Sequence, residues 1–175
     1  MQKELKNIYT VEKHSCFIDT GVFFAAYSKR DSMHLEARLL LISAILGWFG
    51  KLYTSTYILD ELATLTKAKV GGEEAVNLLE YILRSKKISI VSVEDGETLE
   101  DARGMFRKHE GIRGMSFTDC TTLAIQERMK INSLLSFDSN FLPFVPKLFG
   151  ERYHENLEDG EREILAKATK KLEIV

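Results

Sequence analysis

Cysteine is scarce in the sequence, which contains only Cys16 and Cys120 and no C-x-x-C pair. A disulfide framework and a thiolate zinc site are therefore not suggested, and both thiols are expected to be buried in a reducing compartment. The histidines are few, scattered and without zinc-binding spacing: His14, His34, His109 and His154. We expect them to lie at the surface.

Long apolar segments and a large net charge are also missing. The longest apolar run, residues 39–49, is interrupted by Ser43 and Gly47 and is too short to span a bilayer. The first residues lack the apolar core of a signal peptide, so we expect a cytoplasmic protein with no membrane segment. The formal net charge is -2, which argues against a nucleic-acid coat protein but allows an enzyme that meets nucleic acid over a local patch.

Proline is confined to Pro143 and Pro146, and before them short apolar stretches alternate with amphipathic ones. Strands are predicted over residues 16–18, 51–54, 88–93 and 132–137, and helices over residues 22–27, 33–49, 56–69, 73–84, 97–109 and 118–129. This alternation predicts an α/β fold with a mostly parallel, twisted sheet of four to five strands and helices on both faces, a three-layer sandwich. The two prolines are expected to mark the end of the pattern.

The length of 175 residues suits one domain with a full core and is short for two. We divide the chain into a lead-in of residues 1–14, one domain of residues 15–149 and a helical extension of residues 150–175. The extension is rich in charge, and Ile164, Leu165, Ala168 and Leu172 predict one apolar stripe of a terminal helix.

Four acidic side chains are predicted to lie at one edge of the sheet. Asp19 and Asp138 each follow a strand, and Asp119 opens a helix for which Thr118 is a plausible N-cap. The helix after the second strand carries Asp60 and Glu61, which face directions about 100° apart, so only one of them points at the site. The carboxyl ends of parallel strands are where ligands bind in such sheets, at the point where strand order reverses.

Each acid has an ordinary structural explanation as well, since carboxylates often cap helices or end strands. Four of them at one edge would repel one another and partly protonate unless a cation were present. Oxygen ligands of this kind suit Mg²⁺ or Mn²⁺. The pattern therefore predicts a divalent-cation site.

Three stretches of the sequence resemble the PIN domain family, the metal-dependent ribonucleases that include VapC-type toxins. They are CFIDTGVFFAAY, YTSTYILDELATL and SFTDCTTLAIQERMKINSLLSFDSNF. The resemblance covers residues 15–146 and maps the family's acids, in the family's order, onto Asp19, Glu61, Asp119 and Asp138. It also favours Glu61 over Asp60. Gly21 departs from the pattern, because the family more often has a small hydroxyl residue two positions after its first acid.

The resemblance implies metal-dependent hydrolysis of RNA phosphodiester bonds. Asp19 and Asp119 would bind the principal Mg²⁺ or Mn²⁺, and Glu61 and Asp138 would complete its surroundings or hold a second ion. Thr118 and Ser136 would orient water at the ion or, equally, only cap the helix and the strand. The family further implies an antitoxin partner if the protein is a toxin. It also implies a homodimer; the helix over residues 33–49 could form the dimer surface or could instead pack in the core.

RNA would need cations near the acids. Basic residues that follow the first short helix, end the Glu61 helix or precede Asp119 are candidates for phosphate contacts, namely Arg30, Lys67, Lys69 and Arg113. For each of them taken singly, a solvated charged face is the better explanation. Nothing in the sequence indicates which RNA sequence would be bound.

Two other functions compete with the ribonuclease. Phosphohydrolases of the haloacid dehalogenase type also begin with a strand that ends in Asp, but they require a second Asp where this chain has Gly21. A PIN-like RNA-binding or assembly module that lacks activity is the other alternative. Such modules typically lose one or more acids, whereas all four positions are acidic here.

Overall fold

The computed structural model describes residues 14–94 and 96–171. The strands are β1 (Ser15–Ile18), β2 (Lys51–Ser55), β3 (Ile88–Val91), β4 (Ser133–Leu135) and β5 (Lys147–Phe149). The helices are α1 (Thr20–Tyr27), α2 (His34–Ile45), α3 (Thr56–Lys69), α4 (Gly72–Arg84), α5 (Gly96–Lys108), α6 (Phe117–Met129) and α7 (Asp159–Lys171), with short 3-10 turns at Ser139–Phe141 and Tyr153–Asn156. No helix in the described part of the chain is long and apolar enough to cross a membrane.

The five strands form one parallel sheet in the order β3-β2-β1-β4-β5. The chain builds outward from β1 to β3 and then crosses to the other side for β4 and β5, so strand order reverses between β1 and β4. Helices cover both faces, which confirms the predicted three-layer α/β/α fold. The central strand β1 is buried because it is apolar on both sides: Cys16, Phe17 and Ile18 are all fully inaccessible.

The fifth strand corrects the expectation that the strand pattern ends at the prolines. β5 begins immediately after Pro146 and pairs with β4, with Leu134 opposite Leu148. Proline is tolerated there because it precedes the strand and withholds no donor from the ladder. The strand has only three residues, so periodicity alone gives it little signal.

Two helices differ from their predicted extents or faces. α2 ends at Ile45, and the chain then turns through Gly47 and Gly50, both with positive φ. In α4 the buried side chains are Ala75, Leu78 and Ile82, whereas Val76 and Leu83 are more than half exposed. The sequence pattern predicts Val76, Leu79, Ile82 and Leu83 as the core-facing side of this helix. Of these Ile82 is buried as expected, whereas Val76 and Leu83 face outward and Ala75 and Leu78 pack on the core in their place.

The segment after β5 packs on α2 and on the core. Tyr153, Leu157 and Leu165 are buried, and the rings of Phe49, Phe149 and Tyr153 form an aromatic cluster with two tilted pairs and one edge-to-face pair. The predicted terminal helix is present as α7, although Leu172 lies outside the described residues. This segment therefore covers part of α2, the helix considered as a dimerisation surface.

Candidate active site

The acids meet at the place where strand order reverses. Asp19 continues directly from β1, and its backbone N–H donates to the carbonyl of Leu135 at the end of β4 (3.0 Å). Asp138 follows β4 three residues later. Adjacent parallel strands thus bring both side chains to the same edge of the sheet, at the switch point where α/β proteins bind ligands.

Asp19 is almost fully buried, with 7 % of its surface exposed. Its side chain caps α1 by accepting from the backbone N–H of Thr20 (2.8 Å). Burial raises the pKa of this carboxyl to about 7, and the nearby carboxylates of Asp119 and Glu61 add to the rise. Hydrogen bonds from Ser136 and the backbone of Thr20 oppose it.

Ser136 joins the two strand-end acids. Its hydroxyl donates to Oδ2 of Asp19 (2.6 Å) and accepts from the backbone N–H of Asp138 (3.0 Å). The side chain is 1 % exposed, so its geometry is fixed by packing. Asp138 in turn accepts from the backbone N–H of Asn140 (2.8 Å), which makes it the N-cap of the 3-10 turn that follows.

Asp119 reaches the same edge from the first turn of α6. It forms a capping box with Ser116: the Asp119 N–H donates to the Ser116 hydroxyl (3.1 Å), and the Asp119 carboxylate accepts from the Ser116 N–H (2.5 Å). The predicted N-cap, Thr118, is therefore wrong, since it lies within the helix. Burial raises the pKa of Asp119, and the carboxylates of Asp138 and Glu61 raise it further, against the two bonds to Ser116.

Glu61 is the member of the Asp60–Glu61 pair that the structure brings to the site. Its Oε2 accepts a hydrogen bond of 2.5 Å from the hydroxyl of Thr20, the residue after Asp19. Asp60 is exposed, whereas Glu61 is half-buried. The structure thus makes the choice that helical phase left open.

The charges of the four carboxylates interact, but the side chains do not surround a common point. Within residues 14–94 and 96–171, no three His, Cys, Asp or Glu side chains stand close enough together to enclose one ion. The charges of Asp119 and Glu61 nevertheless raise the pKa of Asp19, and those of Asp138 and Glu61 raise the pKa of Asp119. The site is therefore a cluster of oxygen donors with accumulated negative charge, which is the chemistry that a hard divalent cation suits.

Comparison with known families identifies the fold. The PIN domain family matches residues 16–143, which is most of the chain. This chain belongs to the PIN domain family. A curated relative, the VapC ribonuclease of Archaeoglobus fulgidus, is 33 % identical over 149 residues, which cover 85 % of this chain and 90 % of the relative.

Solved PIN domain structures share the architecture. VapC20 of Mycobacterium tuberculosis, a toxin that cleaves the sarcin–ricin loop, superposes with a TM-score of 0.65 at 26 % identity and covers 75 % of this chain and 97 % of its own. VapBC2 from Rickettsia felis, solved with a fragment of promoter DNA, gives a TM-score of 0.54 at 14 % identity, covering 78 % of this chain and 98 % of its own. At that identity the second likeness concerns the fold alone.

Two hydroxyl residues of this PIN domain site, Ser116 and Thr20, are not among the residues predicted from the sequence. Ser116 had a readable signal, because S-x-x-D ahead of an apolar run is a capping-box pattern. Thr20 had none, since its partner Glu61 is 41 residues away. Of the two hydroxyls that were predicted, Ser136 donates to Asp19. The Thr118 carbonyl accepts from the hydroxyl of Thr121 (2.7 Å), a contact within α6 that does not involve the acids.

The predicted phosphate-binding cations all lie on the surface of the PIN domain. Each is exposed: Arg30, Lys67, Lys69 and Arg113. Lys67 and Lys69 occupy the last turn of α3, where a positive charge also complements the helix dipole. Arg113 lies in the connection that precedes the Asp119 capping box, next to Gly114. The structure therefore leaves all four accessible, and Lys67 and Arg113 each lie six residues along the chain from an acid of the site.

Proposed function

We propose that this protein is a VapC-type PIN-domain endoribonuclease that hydrolyses RNA phosphodiester bonds with Mg²⁺ or Mn²⁺, and that it is the toxin of a toxin–antitoxin pair. One observation carries the proposal: four acids from separate elements gather at the switch point of a PIN domain sheet, with Glu61 rather than Asp60 turned inward. The name of the relative at 33 % identity supports the same activity.

The donor set fits a divalent cation. Every side chain of the cluster offers oxygen, and the pKa values of Asp19 and Asp119 are raised partly by the neighbouring negative charges. A cation would remove that repulsion and favour the ionised carboxylates. Because the carboxylates are not closed around one point, the proposed ion is held by one or two of them together with water, as is usual for Mg²⁺.

Each residue has a role that follows from its position. Asp19 and Asp119, the two acids whose pKa values are raised, are the proposed principal ligands; Glu61 and Asp138 complete the site. A bound divalent cation would lower the pKa of a hydrolytic water and offset charge on the leaving oxygen. Ser136 holds Asp19 and the backbone of Asp138 in place, and Thr20 holds Glu61. No side-chain nucleophile is required.

RNA must approach this negative cluster with help from basic residues. Arg30, Lys67, Lys69 and Arg113 are proposed to contact phosphates, since all are exposed. An antitoxin encoded beside the gene is the proposed protein partner. Separately, the structure of FitAcB from Neisseria gonorrhoeae shares the fold, with a TM-score of 0.53 at 16 % identity. A homodimer is proposed as well, but part of α2 is already covered by the chain's own C-terminal segment.

A ribonuclease assay with Mn²⁺ tests the proposal. Wild type is expected to cleave RNA, chelator to stop cleavage, and Asp19→Asn and Asp119→Asn to lose both cleavage and Mn²⁺ binding measured by calorimetry. Asp138→Asn should retain more Mn²⁺ affinity than Asp19→Asn. Cleavage that survives both substitutions and excess chelator would overturn the metal-nuclease assignment. RNA binding by wild type without turnover would favour a binding module instead.

A further inference from the structure

A cleft separate from the four acids lies between α5, α6 and the segment that leads into β5. Its volume is about 690 Å³, within the range of small-ligand sites. The apolar part of its lining includes Met105, Leu123, Ile131 and Val145, and its polar part includes Lys108 and Lys130. The mechanism proposed above uses none of these residues.

One wall of the cleft is an aromatic pair. The ring centroids of His109 and Phe144 are 4.8 Å apart, with the ring planes at 66°. Both residues are half-buried, so each ring is held by packing and still presents part of its surface. Partly exposed aromatic rings of this kind are surfaces on which nucleic-acid bases stack, whatever the base.

The cleft also carries two lysines that have no salt-bridge partner among residues 14–94 and 96–171. Lys108 and Lys130 are exposed, and no salt bridge among the described residues engages either one. Glu127 is the acidic residue of the lining, and it is exposed on the surface of α6. Two free ammonium groups beside an aromatic wall match the phosphates and bases of a single strand.

Two loops connect the cleft to the acids. The loop after α5 and the loop after β4 meet first at the acids, where Asn140, which binds Asp138, lies against Gly114. They meet again at the cleft, through His109 and Phe144. Helix α6 also links the two sites, because Asp119 lies in its first turn and Lys130 is its C-cap. At 1.5 Å per residue these two positions are about 16 Å apart along the helix axis.

We propose that this cleft binds nucleotides of a single-stranded RNA substrate that flank the scissile bond, with phosphates at Lys108 and Lys130 and a base against the His109–Phe144 pair. The inference rests on the proposed ribonuclease function, since it places the strand that the acids cleave. Its chemistry is independent of base identity, because charge and stacking read the backbone and the ring faces rather than base edges.

Equilibrium binding of RNA in excess chelator tests the cleft without turnover. The double variant Lys108→Gln/Lys130→Gln is compared with Lys86→Gln/Lys87→Gln, which removes the same charge from exposed lysines ahead of β3. We measure fluorescence anisotropy with a short RNA that spans only the acids and with a longer one extended at both ends. The cleft variant should lose about tenfold in affinity for the longer RNA, and its salt dependence should flatten by about 1.4 in slope, as expected for two lost phosphate contacts.

A fluorescent base analogue reports the stacking directly. 2-Aminopurine placed at successive positions of the longer RNA should be quenched at one or two of them by wild type, and His109→Ala should relieve that quenching. Equal affinity of the two lysine variants for the longer RNA would overturn the proposal that the cleft binds RNA. An equal loss of affinity by the cleft variant for both RNA lengths would overturn it as well. Failure of the ribonuclease proposal is distinguishable, because it would show as absent cleavage with Mn²⁺ while the length-dependent binding persists.

Discussion

The hydroxyl of Ser136 donates a hydrogen bond of 2.6 Å to Oδ2 of Asp19, although 117 residues separate them in the chain. The same hydroxyl oxygen accepts from the backbone of Asp138. A single buried side chain therefore ties the end of β1 to the segment after β4, and it does so at the switch point where the acids gather.

Ser136→Ala should lower both activity and stability. It leaves the Asp138 N–H without its acceptor and Asp19 without its donor, at a cost of about 1–3 kcal/mol in the free energy of unfolding. Cleavage should fall at least about tenfold, because a ligand carboxylate loses its orientation. The bond lowers the pKa of Asp19, so the pH profile should also move to higher pH.

The exposed Ser139 provides the matched control for this change. Ser139→Ala should leave urea unfolding, cleavage rate and pH profile unchanged. A Ser136→Ala enzyme with wild-type rate and profile would show that Ser136 does not position Asp19.

The stability of the cation-free protein should depend on pH through Asp19. Its pKa is about 7 in the folded chain, against about 3.9 for an unfolded Asp. The folded state therefore binds the extra proton between these values, so this group's stabilising contribution is full below about pH 4 and is lost as pH rises through about 7.

Thermal unfolding in chelator at several pH values, for wild type and Asp19→Asn, isolates that contribution. The difference in melting temperature between the two proteins should change in favour of Asp19→Asn as pH rises. Mn²⁺ affinity of the wild type should increase over the same range, because the cation displaces a proton. A difference that is independent of pH would contradict the raised pKa.

Thr20 is expected to act through Glu61. Thr20→Val removes the hydroxyl that donates to Glu61 while keeping the side-chain shape, so Mn²⁺ affinity and cleavage should fall several-fold with little change in fold. Thr20→Ser should restore both. Calorimetry and single-turnover cleavage measure the effect, and equal behaviour of the Val and Ser variants would contradict it.

Helix α3 carries two adjacent acids, Asp60 and Glu61, whose substitution tests which of them belongs to the site. Glu61→Gln should lower cleavage strongly, whereas Asp60→Asn should not, because Asp60 is exposed and Glu61 faces Thr20. A stronger effect at position 60 would reverse the assignment.

Gly150 supports the site from the last strand. The N–H of Ser136 donates to the carbonyl of Phe149 (3.0 Å), and a Cβ at Gly150 would overlap the carbonyl oxygen of Ser136. Gly150→Ala must therefore displace the backbone that carries the Ser136 hydroxyl. We expect a loss of about 1–3 kcal/mol in the free energy of unfolding and a parallel loss of Mn²⁺ affinity.

Gly104 is the control, since it lies inside α5 and a Cβ there meets nothing within 4 Å. Gly104→Ala should raise the free energy of unfolding by about 0.5–1 kcal/mol, because alanine is the better helix former, and should leave Mn²⁺ affinity unchanged. Equal effects of the two substitutions on stability and Mn²⁺ affinity would show that Gly150 does not position the backbone of Ser136.

Local patterns account for what could be read from the sequence. The apolar run of β1 and the periodicity of α3 predicted those elements nearly as found, since α3 spans Thr56–Lys69. The S-x-x-D pattern of α6 marks Ser116 as its cap, in place of the predicted Thr118. Where a strand was only three residues long, as in β5, no period could form and pairing with β4 had to supply the order.

The sequence by itself determined the alternation of strands and helices as far as β4 and put acids after β1 and β4 and in the first turn of α6, because burial and capping act over a few residues. Only the tertiary structure decided which contacts hold the acids: Thr20 binds Glu61, the residue that the resemblance favoured and helical phase left open, and Ser136 binds Asp19 and Asp138. The contacts with Glu61 and Asp19 join residues 41 and 117 positions apart. They exist because a parallel sheet brings distant strand ends to one edge, which no local pattern records.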